Sequence, residues 1–164
     1  WEGPNRGLHD FSYEACLFEV KSSILSKEMY FNIFSPTQLI ETGGKDLYLI
    51  HQVFSWEASG ISINNLVSRL KKKLADNKVA SSIFDELISL SGYHKMHHDY
   101  YETQEFRLSH VKTDTYAVDA DFPKVLASDT HSSIRVHGYS IEVEGCAEQL
   151  LGSFEDCVKG LEWN

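Results

Sequence analysis

Charged residues interrupt an apolar run within segment 10–23, DFSYEACLFEVKSS, and this pattern constrains the chain more than any other. The run predicts a β-strand over about residues 16–23, whose side chains alternate between two faces. Glu19 and Lys21 therefore project to the same face, which they share with Leu17. The opposite face, which we expect to point into the core, carries Cys16, Phe18 and Val20.

A carboxylate and an ammonium group on one face of a strand, with Asp10 as a third member, suit metal-assisted phosphodiester hydrolysis. Carboxylate oxygens are ligands that Mg²⁺ prefers, together with water and phosphate oxygens. Such a metal ion lowers the pKa of a bound water. Lys21, two residues beyond Glu19, would orient that water or stabilise the transition state. The alternative is a half-exposed strand that carries a surface Glu–Lys pair.

The residues around this strand also form a longer pattern, W-x-G-P…H-D-F…F-E-V-K-S-S, which lies within residues 1–23. The pattern resembles the PD-(D/E)XK nuclease superfamily. More narrowly, it is similar to bacterial PD-(D/E)XK-motif proteins associated with restriction–modification and phage-defence loci. Later pieces that look like the same family include Gly92-Tyr93, Tyr116-Ala117-Val118, Phe122-Pro123 and segment 134–143, so the resemblance covers most of the chain.

The resemblance implies a Mg²⁺-dependent DNA endonuclease, with Mn²⁺ as a substitute ion, that acts in restriction or phage defence. The superfamily's aspartate and its (D/E)-x-K pair map onto Asp10, Glu19 and Lys21, and the first two of these would bind the metal. His9 stands where the motif's name has proline. The implied partners are DNA and other restriction or defence subunits, and duplex cleavage would by symmetry suggest a homodimer or a nicking partner.

Many such nucleases carry another acidic residue on a helix before the first strand. The chain begins at Trp1 rather than at a methionine. We therefore expect it to be a fragment or a processed product of a longer protein, without that helix.

Further polar residues have both a functional and a structural interpretation. His9 would contact a phosphate or simply end a strand. Ser22, Gln38 and Gln52 would position the metal-binding carboxylates without binding the metal themselves, or they would have only a structural role. Three consecutive lysines lie on a predicted helix and would contact DNA phosphates or form a solvated face; they are Lys71, Lys72 and Lys73.

Composition restricts the function without excluding a nuclease. The net charge is −9 over 164 residues, which argues against nucleic-acid binding driven by global charge but allows local contacts. No apolar run approaches the roughly 18 residues of a membrane span. The three cysteines lack metal-ligand spacing and are typical of reduced thiols in a cytoplasmic protein.

The predicted class is α/β, with a restriction-endonuclease-like mixed sheet flanked by helices in residues 1–57 and an α+β extension in residues 58–164. Strands are expected over 29–34 and 46–56, separated by a short helix that begins at Ser35-Pro36 and is ended by Gly43-Gly44. Two amphipathic helices follow, over about 62–75 and 79–90. Beyond them we expect a hairpin over 105–118, a strand over 134–143 and a closing helix over 147–158.

Other chemistries receive less support. His94, His97 and His98 with Asp99 invite a zinc site, but no cysteine lies nearby, so surface or DNA-facing histidines are favoured. No Gly-x-Ser-x-Gly elbow and no phosphate-binding glycine loop is present. The first competing hypothesis is a catalytically silent DNA-binding or assembly module of a defence complex, and a divalent metal bound by Asp10 and Glu19 would separate it from the nuclease. The second is a generic partner-binding domain, which predicts no metal at all.

Overall fold

A computed structural model describes residues 1–103, 107–126, 128 and 130–159. Seven strands and four α-helices follow one another along the described chain. The strands are β1 Phe11–Tyr13, β2 Cys16–Ile24, β3 Tyr30–Ile33, β4 Asp46–Ile61, β5 Leu108–Ala117, β6 Tyr139–Glu142 and β7 Leu150–Gly152. The α-helices are α1 Ile63–Leu74, α2 Lys78–Leu90, α3 His98–Tyr101 and α4 Phe154–Lys159.

Five of the strands form a mixed sheet in the order β1-β2-β4-β5-β7. Strands β2 and β4 are parallel, from the pair Cys16 and Asp46 to the pair Ile24 and Phe54. The other neighbours are antiparallel. This mixed sheet with its flanking helices confirms the expected α/β, restriction-endonuclease-like class.

Strand β2 is buried on both faces, which corrects the expectation of a single core face. The main hydrophobic cluster, which includes Leu17, Leu49 and Phe31, lies on the side of Glu19 and Lys21. The opposite side, with Phe18, forms a smaller cluster. The reason is the position of β2 between β1 and β4, because a strand inside a sheet covered on both sides has no solvent face.

Strand β3 lies outside the central sheet and forms a two-stranded antiparallel sheet with β6. A 3-10 helix, Pro36–Leu39, follows it, and the Ser35 hydroxyl accepts a hydrogen bond from the Thr37 amide as its cap. Leu39 is fully buried and anchors this turn in the core. The turn ends at Leu39, before Gly43 and Gly44, which both adopt positive φ in the turn that leads into β4.

Strand β4 is longer than predicted, and it crosses the expected domain boundary near residue 57 without interruption. Its register with β5 shifts between Trp56 and Ile61, both of which pair with Leu108. Gly60 lies at this bulge, where a Cβ would come within 2.6 Å of the Leu108 carbonyl carbon. The division into residues 1–57 and 58–164 stays a prediction.

The two predicted helices α1 and α2 are present, and side chains cap both. The Ser62 hydroxyl accepts from the Asn65 amide at 3.2 Å, and the Asn77 side chain accepts from the Ala80 amide at 3.0 Å. These bonds satisfy amides that lack partners in the first turn of each helix. Among the described residues, no helix has both the length and the apolar character needed to cross a membrane.

Three predictions for the C-terminal half are wrong. The expected hairpin over 105–118 is one continuous strand, β5, because it pairs with β4 from Leu108 to Ala117 with a register shift that passes over Val111; residues 105 and 106 lie outside the described chain. The strand expected over 134–143 forms only as β6, where β3 offers a partner. The expected closing helix is divided into a 3-10 helix, Val143–Gln149, the short strand β7, and α4.

Candidate active site

Asp10, Glu19 and Lys21 lie close together at strand β2 of the central sheet. The Lys21 ammonium Nζ lies 2.8 Å from Glu19 Oε1, and both side chains are almost fully buried. Asp10 Oδ2 accepts a hydrogen bond from the amide of Val20, between them, at 2.8 Å. The three residues therefore form one cluster, held by a single strand and the residue that precedes β1.

Asp10 is fixed from two sides. Its backbone carbonyl accepts from the Glu2 amide at 2.7 Å, while its carboxylate accepts from β2. Gly3 packs against the same carboxylate so closely that a Cβ would come within 2.7 Å of Asp10 Oδ1. The N-terminal segment thus closes over the aspartate and leaves its carboxylate little freedom to rotate.

Burial shifts the pKa of Glu19, whose side chain is 3% exposed. Desolvation raises the pKa of this carboxyl above its ordinary value, while the hydrogen bond and positive charge of Lys21 lower it. The negative charge of Asp10 raises the pKa further. Two carboxylates and one ammonium leave the cluster with a net negative charge, which an added cation would balance.

Gln38 joins the cluster from the turn Pro36–Leu39. Its Nε2 donates to Glu19 Oε1 at 2.7 Å, and its Oε1 accepts from Lys21 Nζ at 3.2 Å. The same Oε1 accepts from the Phe34 amide at 3.0 Å. Gln38 therefore contacts both charged groups of the motif, and it ties them to the backbone before the turn.

His9 is buried behind the aspartate. Burial lowers the pKa of its imidazole, although the backbone near Ile40 and the neighbouring Asp10 and Glu2 act in the opposite direction. Its Nε2 has no hydrogen-bond partner within the part of the chain that the structure describes. The side chain is only 5% exposed, so a neutral imidazole fits this position.

Two of the proposed supporting residues lie apart from the cluster. Ser22 and Gln52 are register partners, and alternation along the strands places them on the face opposite Lys21. The Gln52 Oε1 instead accepts from the Thr113 hydroxyl at 3.0 Å.

On α1, the Lys71 ammonium forms an ion pair with Asp85 of α2, whereas Lys72 and Lys73 are exposed.

Sequence reasoning missed three residues around the cluster. Phe34 lies with its ring centroid 5.5 Å from Lys21 Nζ, and Gly3 contacts Asp10. His51, the register partner of Lys21, is fully buried, and its Nε2 lies 2.9 Å from the Ser23 hydroxyl. Strand alternation would have placed His51 beside Lys21 if the parallel pairing of β2 and β4 had been known. Gly3 belongs to the W-x-G-P pattern, but the pattern does not indicate its contact with Asp10.

The donor chemistry of the cluster fits a divalent cation such as Mg²⁺. Asp10 and Glu19 supply hard carboxylate oxygens, and their charge exceeds that of Lys21. No group of three or more His, Cys, Asp or Glu side chains arranged for a metal occurs among the described residues. An ion held here would therefore complete its coordination with water and substrate oxygens, as Mg²⁺ usually does.

Comparison with known proteins identifies a protein family. The family model described as "Putative PD-(D/E)XK family member, (DUF4420)" matches residues 1–144. No curated protein and no solved structure matches the chain. The matched range contains the whole cluster, from Asp10 to Gln38, together with all strands of both sheets except β7.

Proposed function

Because this chain belongs to the PD-(D/E)XK family DUF4420, we propose that it is a Mg²⁺-dependent nuclease that hydrolyses DNA phosphodiester bonds in restriction or phage defence. The family is nuclease-like, which makes DNA the substrate class that it implies. The convergence of the half-buried Asp10 with the buried pair Glu19 and Lys21 carries the proposal. A generic surface Glu–Lys pair would not be expected to bury both charges, because burying them costs several kcal/mol for each ion.

Asp10 and Glu19 would hold the metal ion, which supplies a water of lowered pKa and neutralises charge on the phosphate. Lys21 contributes a fixed positive charge beside Glu19, suited to orienting the nucleophile or stabilising the pentavalent phosphate. Gln38 keeps both side chains in place, since its amide contacts each of them. Glu19 must be deprotonated to bind a cation, and Lys21 opposes the rise in its pKa that burial causes.

Two outer features would assist. Lys72 and Lys73 are proposed to contact DNA phosphates, because they are exposed on α1 while Lys71 is engaged by Asp85. The implied assembly, a homodimer or a complex with other defence subunits, would present two such sites to the two strands of a duplex.

Cleavage of supercoiled plasmid in Mg²⁺ or Mn²⁺ tests the proposal. We expect nicking or linearisation by the natural chain, abolished by EDTA and reduced at least about a hundredfold in Lys21→Met and Asp10→Asn. The matched controls are Lys27→Met and Asp76→Asn, which change exposed residues outside the cluster and should keep full activity. Equal cleavage by all five proteins would identify a contaminant and contradict the assignment.

Calorimetric titration with Mn²⁺ provides a readout that does not depend on cleavage. Binding should be lost in Asp10→Asn and retained in Asp76→Asn. DNA binding without metal binding or cleavage would favour the alternative of a catalytically silent DNA-binding module. The absence of both metal binding and cleavage from the natural chain would contradict the proposal.

A further inference from the structure

A cleft of about 320 Å³ opens beside the candidate active site. One wall is the turn that carries Gln38, represented by Ser35, Thr37 and Ile40; the other includes Val125, Ile134 and Arg135. We refer to it as the turn cleft. Because the Gln38 amide contacts Glu19 and Lys21, the near wall of the turn cleft is fixed relative to the motif.

The described lining of the turn cleft differs in charge from the linings of four other clefts on the described surface. Arg135 lines it, and none of the described lining residues is Asp or Glu. Four other clefts on the described surface each contain at least one acidic residue, namely Glu28, Glu2 or Asp85. In a chain of net charge −9, the described lining of the turn cleft thus offers the Arg135 guanidinium to an anionic ligand.

The lining of the turn cleft combines apolar and polar groups. Ile40, Val125 and Ile134 supply apolar surface. Hydroxyl groups of Ser35 and Thr37, which bond each other at 2.7 Å, lie on the near wall. Arg135 donates one bond to the Ser132 carbonyl at 3.2 Å, which leaves other guanidinium N–H groups suited to a phosphate. Apolar walls with a few polar groups are typical of small-ligand sites.

An exposed aromatic ring precedes the near wall. Phe34 is 77% exposed, yet its backbone is bonded to Gln38 and its ring lies close to Lys21. Proteins that bind single-stranded nucleic acid combine aromatic stacking platforms with local positive charge along the strand path. Phe34 beside the motif and Arg135 in the adjoining cleft supply these two elements.

We propose that Phe34 and the turn cleft bind unpaired nucleotides of the substrate strand, so that the protein prefers gapped or single-stranded DNA to intact duplex. The proposal rests on the nuclease function inferred above and defines its substrate class. Phe34 stacks a base beside the scissile phosphate, Arg135 holds a neighbouring phosphate, and the apolar walls receive the next base. A fully paired duplex buries its bases in its own stack and cannot make these contacts.

Binding measured by fluorescence anisotropy in EDTA, where no cleavage occurs, tests this inference. The probes are a short fluorescein-labelled duplex and the same duplex with a central gap. We expect the natural chain to bind the gapped probe about tenfold more tightly than the intact one. Phe34→Ala and Arg135→Ala should each remove most of this preference.

The matched controls are Trp56→Ala, which removes another exposed ring, and Arg69→Ala, which removes another exposed guanidinium. Both should keep the preference for the gapped probe. Equal affinity of the natural chain for the two probes, no binding of either probe, or retention of the preference by both Phe34→Ala and Arg135→Ala would overturn the inference. Gap preference without any Mg²⁺-dependent cleavage of the gapped duplex itself would instead contradict the nuclease function while supporting the cleft.

Discussion

Gln38 and Glu19 are separated by 19 residues in the chain, yet Gln38 Nε2 donates to Glu19 Oε1 at 2.7 Å. The bond joins the 3-10 turn after β3 to the central strand β2. Because Gln38 also accepts from Lys21, one amide orients both charged groups of the motif. We regard Gln38 as a positioning residue for the proposed reaction.

Gln38→Ala should therefore lower kcat by about ten- to a hundredfold with little change in KM, because misplaced groups lose transition-state contacts rather than substrate binding. Gln38→Glu should be worse, since a third negative charge beside Glu19 would raise its pKa further. Steady-state kinetics over a range of pH checks both. A proportional loss of folded protein, with unchanged kcat for the folded fraction, would show that Gln38 is only structural.

Gly3→Ala should disturb the site although it removes no functional group. The new Cβ would lie 2.7 Å from Asp10 Oδ1, so the carboxylate must shift away from the Val20 amide that it accepts from. We expect weaker Mn²⁺ binding and about a tenfold loss of cleavage, since small displacements at a site are costly. Gly145→Ala is the control, because a Cβ there meets nothing within 4 Å; equal losses in both variants would disprove the effect.

The buried Glu19–Lys21 ion pair should show non-additive changes of the unfolding free energy in a double-mutant cycle. Lys21→Met leaves Glu19 buried without its cation and should destabilise the fold by about 3 kcal/mol. Adding Glu19→Gln should recover most of this loss, because the remaining buried charge is removed and the Gln side chain still reaches Gln38. Urea denaturation of the two single variants and the double variant measures the cycle. Additive losses would mean that the two residues do not interact.

His51 should make stability decline in mild acid. Burial lowers the pKa of its imidazole below the ordinary 6.5, although Asp114 opposes this shift. The unfolded chain therefore takes up the proton first, and the contribution to stability is complete above pH 6.5 and lost as pH falls towards the lowered value. The slope cannot exceed about 1.4 kcal/mol per pH unit for each proton.

Denaturation at several pH values below 6.5 checks this prediction. His51→Leu should flatten the decline, and a residual slope of the same sign should remain from His9, whose pKa is also lowered by burial. His137→Leu, at an exposed position, should leave the slope unchanged. An unaltered slope in His51→Leu would contradict the prediction.

The sequence was sufficient to predict the elements that depend on local signals. Strand β2 and the Glu19–Lys21 pair follow from alternation within one apolar run, and α1 follows from its helical spacing. Elements that depend on distant partners were not predictable in this way. Strand β5 is continuous because β4 pairs with it from Leu108 to Ala117, and the proposed C-terminal helix yields to β7 because the sheet edge offers a place to pair.

The same distinction applies to the site. The motif names Asp10, Glu19 and Lys21, and Gln38 could be suggested by type alone. Gln52 was an equally plausible amide, but the register of β2 with β4 places it on the opposite face. Neither periodicity nor charge predicts the close contact of Gly3 with Asp10, because this contact depends on the side chain that glycine lacks.

The pairing of β3 with β6 brings Asn32 next to Ser140, 108 residues later in the chain. Strand β3 leads directly into the turn that supplies Gln38, and β6 is the partner that completes its hydrogen bonding. A ribosome-bound chain that has exposed the motif but not yet residues 139–142 thus carries the acidic and basic groups without the strand that secures their support. Assembly of the site should consequently be a late event of synthesis, since contacts this distant in sequence form last. Until then, the emerging polypeptide would carry Asp10, Glu19 and Lys21 without the strand pairing that secures Gln38 beside them.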